Sequence, residues 1–61
     1  MLEFAEETLI AVKNLRRQTE ELIVSGNVKD MEQYRFLMGR LEGYKFVEME
    51  IQFILNKDQN Q

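Results

Sequence analysis

One interruption in an otherwise continuous helical pattern constrains this chain more than any other feature. Residues 2–24 contain no Gly or Pro, and their apolar side chains recur at alternating steps of three and four residues, which is helical spacing. Ser25-Gly26-Asn27 then ends the pattern, because Gly26 suits the left-handed conformation that commonly follows a helix. The first helix is therefore predicted over about residues 2–25. Its apolar side chains fall on one broad half of the cylinder: Leu2, Ala5, Leu9, Val12, Leu15, Leu22 and Ile23.

A second helix is predicted to begin immediately after a short connection. Asp30 is a good N-cap residue, and Gln33 stands three residues later, as in a capping box. We expect this helix to run over about residues 31–56. A connection of about five residues between two helices normally makes them antiparallel. The fold predicted for residues 1–56 is therefore all-α, a two-helix antiparallel hairpin, followed by a polar tail at 57–61.

The length of the chain limits how stable such a hairpin can be by itself. A domain of 61 residues buries only about 60% of the surface that its unfolded chain exposes. Small domains compensate with disulfides, a structural metal or oligomerisation. The chain has no Cys and no His, which excludes disulfides and disfavours a metal. We therefore expect the hairpin to associate with copies of itself into a helical-bundle oligomer.

The second helix carries more apolar surface than one neighbouring helix can cover. One stripe is predicted to pack on the first helix: Tyr34, Leu37, Leu41, Tyr44, Ile51 and Leu55. Phe46, Met49 and Phe53, together with Met31, lie about 100 to 180° away around the helix. Single exposed apolar residues are normal on small proteins. Several of them over three turns instead indicate a contact surface.

Gly39 and Gly43 stand four residues apart in the middle of the second helix, where each costs about 1 kcal/mol relative to Ala. One explanation is a close crossing with another helix, because the two glycines expose the backbone beside Phe36. The other is that they are simply tolerated, or that they make room for aromatic rings within the hairpin. The first explanation completes the predicted interface: Phe36, Gly39, Gly43, Phe46, Met49 and Phe53.

Three charged residues interrupt the apolar faces, namely Arg16 on the first helix and Arg40 and Glu48 on the second. Charges are rarely buried without a partner. The predicted alignment places Arg16 near Leu41, too far from Glu48 for a contact within one hairpin. Arg16 and Glu48 are therefore a candidate ion pair between subunits. The alternative is that both side chains extend to solvent along the edge of the helix contact.

The composition limits the chemistry and the partners that can be expected. The chain lacks His, Cys and any glycine-rich phosphate loop, so we predict that it is not an enzyme and that it holds no cofactor or metal. The net charge of −3 disfavours binding to nucleic acid, although Lys13, Arg16 and Arg17 could gather on one face. Charges interrupt every apolar run, so no membrane span is expected. Acidic residues near the N-terminus do not fit a secretory signal, which favours the cytoplasm.

The second half of the chain carries a recognisable arrangement of residues. Asp30, Tyr34, Leu37, Gly39 and Gly43 fit the pattern D-x3-Y-x2-L-x-G-x3-G, with Gly26 before it and Ile51 after it. Residues 30–54 thereby resemble small acidic helical-hairpin open reading frames of tailed bacteriophages. The aromatic residues Tyr44 and Phe46 stand where an aliphatic pair is commoner in that pattern.

The resemblance implies a bacteriophage accessory protein. The expected function is a non-enzymatic, homo-oligomeric structural or assembly component associated with the head or tail of the particle. Its expected partners are copies of itself and another phage protein. Its expected location is the host cytoplasm during assembly, with the virion as the second candidate. Two alternatives stay open: a small helical regulator or inhibitor that binds a host or phage protein, and a dimeric bundle that grips structured RNA.

Overall fold

Two helices packed against each other form the whole of the structure, a computed structural model that describes residues 2–59. Helix α1 spans Leu2–Val24 and helix α2 spans Met31–Gln59. The molecule measures 47 × 15 × 13 Å, as expected for two long helices side by side. The all-α hairpin predicted from the sequence is confirmed. Among the described residues, neither helix has an apolar stretch of the length that crossing a membrane requires.

The turn between the helices uses the residues that the sequence pattern indicates. Gly26 has a φ of +84°, a left-handed conformation that side chains with a Cβ adopt only at a cost. The Ser25 hydroxyl donates a hydrogen bond of 2.9 Å to the carbonyl oxygen of Leu22. That carbonyl is among those that lack a helical partner at the end of α1. The predicted end of the first helix is thus correct to within one residue.

The start of α2 is stabilised by side-chain caps. The backbone N–H of Gln33 donates to Asp30 Oδ1 at 2.8 Å, which confirms Asp30 as the N-cap. The Gln33 side chain accepts a hydrogen bond of 2.7 Å from the backbone N–H of Lys29. In a standard capping box this bond would come from the N-cap residue itself. Here it comes from the residue before, so the cap also ties down the connecting segment.

The core is a single narrow seam between the helices. On α2, one stripe at alternating steps of three and four residues contains the buried side chains Leu37, Leu41 and Leu55, with Tyr44 and Ile51 half-buried. On α1, Thr19 is fully buried, and its hydroxyl donates to the carbonyl oxygen of Leu15 at 2.9 Å. Leu37, Leu41 and Leu55 are the only large apolar side chains that are buried within the described residues. So small a core leaves most of the apolar surface in contact with water.

The end of α2 differs from the prediction. The helix continues to Gln59, so three residues of the predicted polar tail are helical. Lys57 and Gln59 are good helix formers, and the positive charge of Lys57 in the last turn complements the helix dipole. Residues 60 and 61, the remainder of that tail, lie outside the described part of the chain.

Candidate interaction surface

An ion pair between Arg16 and Glu48 links the two helices within one chain. Arg16 Nε lies 2.6 Å from Glu48 Oε2, and Arg16 Nη1 lies 3.2 Å from Oε1 of Glu20, one turn further along α1. The expectation that Arg16 and Glu48 are too far apart within one hairpin is therefore wrong. Their pairing joins helix to helix inside the hairpin rather than subunit to subunit.

The direction in which helical side chains lean explains this contact. Side chains on a helix tilt toward its N-terminus, and the N-termini of two antiparallel helices point in opposite directions. Arg16 therefore leans toward the open end of the hairpin, whereas Glu48 leans toward the turn. The two side chains converge, although their backbones are offset along the axis.

The Arg16–Glu48 pair is largely removed from solvent. The side chains are 29% and 11% exposed, respectively. Neither Arg16 Nε nor Glu48 Oε2 has a well-aligned hydrogen-bond partner among the described residues, despite the short distance between them. The contact is thus ionic rather than a good hydrogen bond. Buried pairs of this kind add little net stability, but removing one partner leaves a costly unpaired charge.

All six predicted interface residues lie on the surface of the hairpin. Phe36 is 67% exposed, Phe46 64%, Met49 63% and Phe53 67%, and both Gly39 and Gly43 are exposed as well. Around the axis of α2 these residues are spread over about 140°, at 100° per residue. They consequently form more than one face, and a single neighbouring helix could not cover them all.

The two mid-helix glycines make no close contact within the hairpin. A Cβ built at Gly39 or at Gly43 would meet nothing within 4 Å. Making room for aromatic rings inside the hairpin therefore does not account for them.

Helix α1 carries an exposed apolar stripe that was not predicted from the sequence. Phe4 is 75% exposed, Leu15 38% and Leu22 47%, although Leu15 and Leu22 were expected on the face toward α2. Together with Thr8, Ala11 and Gln18 they repeat at steps of four and three residues. Val12, Arg16 and Thr19 belong to a different stripe, which faces α2. The regular spacing of the exposed residues is the sequence signal that could have identified a second stripe.

The exposed stripes of the two helices lie on the same side of the hairpin. The buried residues fix how each helix is rotated, and α2 runs in the opposite direction to α1. With 100° per residue, the α1 stripe and one α2 stripe then both lie about 90° from the helix contact, in the same direction. We call this surface the apolar side: Phe4, Ala11, Leu15 and Leu22 on α1, with Phe36, Gly43, Val47 and Ile54 on α2.

The rest of the surface has a different character. Gly39, Phe46 and Phe53 point away from α1 and form what we call the outer edge of α2. On the side opposite the apolar side, an open groove is lined by Arg16, Lys45, Glu48, Met49 and Gln52. This groove contains the ion pair and one apolar residue, Met49. The hairpin is therefore two-sided, with one apolar and one polar side.

The chain was compared with known protein families, curated proteins and solved structures. The sequence matches no protein-family model and no curated protein, and the fold matches no solved structure. Within the described residues, no group of three or more acidic side chains is arranged to hold a metal ion. The apolar side and the outer edge are therefore the features from which a function can be argued.

Proposed function

We propose that this protein is a non-enzymatic, self-associating helical hairpin that serves as a structural or assembly component of a bacteriophage particle. The single observation that carries self-association is the mismatch between a very small core and a large exposed apolar surface. Three large apolar side chains are buried among the described residues, whereas α1 exposes Phe and Leu side chains and α2 exposes Phe, Val and Ile side chains in regular stripes. Contiguous apolar surface of this kind usually marks a contact with another protein.

The part of the proposal that concerns a phage particle rests on the resemblance of residues 30–54 to small bacteriophage reading frames. The hairpin geometry supports a role in binding, since its regular helical stripes suit packing against other helices. The outer edge, with Phe46 and Phe53, supplies a second surface for another phage protein. Action by binding requires no cofactor.

Sedimentation equilibrium of the purified protein tests self-association directly. We expect a species larger than the 7.3 kDa monomer at micromolar concentration, with a melting temperature that rises with concentration. A monomer over the whole micromolar range, with a melting temperature independent of concentration, would refute the proposal.

Quantification of the protein in purified particles tests the structural role. A fixed number of copies per particle supports a head or tail component. Recovery only with a soluble host or phage protein, and absence from particles, would support the alternative of a small regulator that places one helix in a groove of its target.

A further inference from the structure

We propose that two copies pair through their apolar sides around a two-fold axis perpendicular to the helices, with the two turns at opposite ends of a four-helix bundle. This inference rests on the proposed self-association and specifies its geometry. In this arrangement α1 packs antiparallel on α1 of the second copy, and α2 packs antiparallel on α2. The occupant of the apolar side is thus a second copy of this chain.

The exposed stripe of α1 is complementary to itself when reversed. A two-fold axis level with residue 13 places Phe4 opposite Leu22 of the second copy, and Ala11 opposite Leu15. Each layer combines a large side chain with a smaller or equal one. The remaining layer pairs Thr8 with Gln18, both uncharged. An isologous contact requires this reciprocal pairing.

The exposed stripe of α2 is also complementary to itself. An axis level with residue 45 places Phe36 opposite Ile54 of the second copy. It places Gly43 opposite Val47, so that the glycine faces a branched side chain and leaves space for it. In this arrangement the space at Gly43, which nothing in the hairpin fills, receives a side chain from the second copy.

The same axis brings opposite charges together. Arg40 and Glu50 are the two remaining residues of the α2 stripe. The two-fold rotation places Arg40 of each copy level with Glu50 of the other, so the contact occurs twice per dimer. Neither residue forms a salt bridge within the described hairpin. Arg40 instead donates from Nε to the Tyr44 hydroxyl at 3.0 Å, with its guanidinium carbon 5.6 Å from the centre of the ring. This contact holds the guanidinium beside the apolar side.

The two local axes lie within one helical turn of each other in the hairpin. Val24 ends α1 and Met31 begins α2, so residues whose numbers sum to about 55 lie level across the hairpin. The numbers 13 and 45 sum to 58, an offset of three residues or about 4.5 Å along the helices, which is less than one turn. One two-fold axis therefore serves the stripes of both helices with a small sliding adjustment.

A second two-fold arrangement, with the axis parallel to the helices, would pack α1 on α2 of the second copy and place both turns at the same end. It matches the apolar layers comparably well. However, it places Arg40 opposite Gln18 and Glu50 opposite Thr8, so neither charge gains a partner. Opposite charges across an interface select one geometry over another, and here they favour turns at opposite ends.

Charge reversal tests the contact between Arg40 and Glu50. We expect Arg40→Glu to weaken the dimer by about tenfold or more in Kd, since it creates two repulsive contacts. The double variant Arg40→Glu/Glu50→Arg should recover most of this loss. Arg35→Glu, which makes the same change in net charge on the outer edge, is the matched control and should change Kd by less than about twofold. Failure of the double variant to recover the affinity would overturn the proposed contact.

The orientation of the two copies is tested by one distance. The chain has no Cys, so Asn27→Cys gives a single site in the turn for a nitroxide label. With turns at opposite ends, the two labels lie about 40 Å apart, from 14 residues on either side of the axis at 1.5 Å each. With turns at the same end they lie within about 20 Å.

The outcomes separate this inference from the proposed function. Pulsed dipolar spectroscopy of the labelled dimer that gives the long distance supports the inference. The short distance, in a protein that sedimentation shows to be a dimer, overturns the orientation but leaves self-association intact. A monomer in sedimentation and no dipolar coupling would overturn both.

Discussion

At the scale of single residues, Glu48 occupies a position at which the other buried members of the stripe are Leu. Leu37, Leu41 and Leu55 flank it at helical spacing, and Arg16 of α1 neutralises it at 2.6 Å. Arg16 is in turn held by Glu20 at 3.2 Å. This charged layer fixes how far one helix slides along the other, because a shift by one turn would separate the two charges and leave each without its partner. Its contribution is therefore to register more than to stability.

Removing one member of this pair should cost more than removing both. We expect Arg16→Met to lower the free energy of unfolding by about 1–3 kcal/mol, since it leaves the Glu48 carboxylate without its partner. The double variant Arg16→Met/Glu48→Leu should regain that loss or exceed the stability of the original protein. Urea denaturation at fixed protein concentration measures both. Arg17→Met, at an exposed position on the same helix, is the control, and equal stability of all four proteins would contradict the prediction.

At the scale of the helices, the ends of each helix are easier to predict from the sequence than the contacts between the helices. The turn at Gly26 and the cap at Asp30 are predictable because each depends on a few adjacent residues and on backbone geometry. The Arg16–Glu48 contact was missed because backbone alignment alone ignores the opposite lean of side chains on antiparallel helices. The exposed stripe of α1 was not predicted, because Leu15 and Leu22 were expected on one broad face together with the buried residues, and Phe4 was not included in that face.

The cap of α2 should contribute measurably to stability. Asp30→Ala removes the acceptor of the 2.8 Å bond from the Gln33 N–H, and we expect a loss of about 1 kcal/mol. Thermal unfolding followed by circular dichroism checks this. Lys29→Ala is a suitable control, since it keeps the backbone N–H that donates to Gln33. A melting temperature for Asp30→Ala equal to that of the control would show that the cap contributes nothing.

Gly39 within α2 and Gly26 in the turn should respond oppositely to replacement by Ala. Gly39→Ala should raise the free energy of unfolding by up to about 1 kcal/mol, because Ala favours the helix and its Cβ meets nothing within 4 Å. Gly26→Ala should lower it by about 1 kcal/mol, because its φ of +84° is unfavourable for Ala. Urea denaturation compares the two. Destabilisation by Gly39→Ala would instead indicate a close helix crossing at the outer edge.

At the scale of the whole molecule, two long helices with a narrow core behave as half of a larger packed unit. A helix within a bundle contacts neighbours on two sides about 90° apart, and both helices of this hairpin carry apolar stripes with that separation. The predicted interface divides accordingly. Phe36 and Gly43 belong to the apolar side, and Gly39, Phe46 and Phe53 belong to the outer edge. Met49 lies beside the polar groove.

This division predicts different effects for the same substitution at the two mid-helix glycines. Gly43→Leu should reduce the sedimenting mass toward that of the monomer and lower the melting temperature, because the added side chain occupies the space opposite Val47 of the second copy. Gly39→Leu adds the same side chain four residues away, on the outer edge, and should leave both quantities unchanged or raise the melting temperature. Sedimentation velocity and thermal unfolding at matched concentrations measure the pair. Because both variants replace a helical glycine by Leu, a shared gain in helix propensity cancels in the comparison. Assembly that is lost in Gly39→Leu and kept in Gly43→Leu would place the contact on the outer edge and exclude the apolar side.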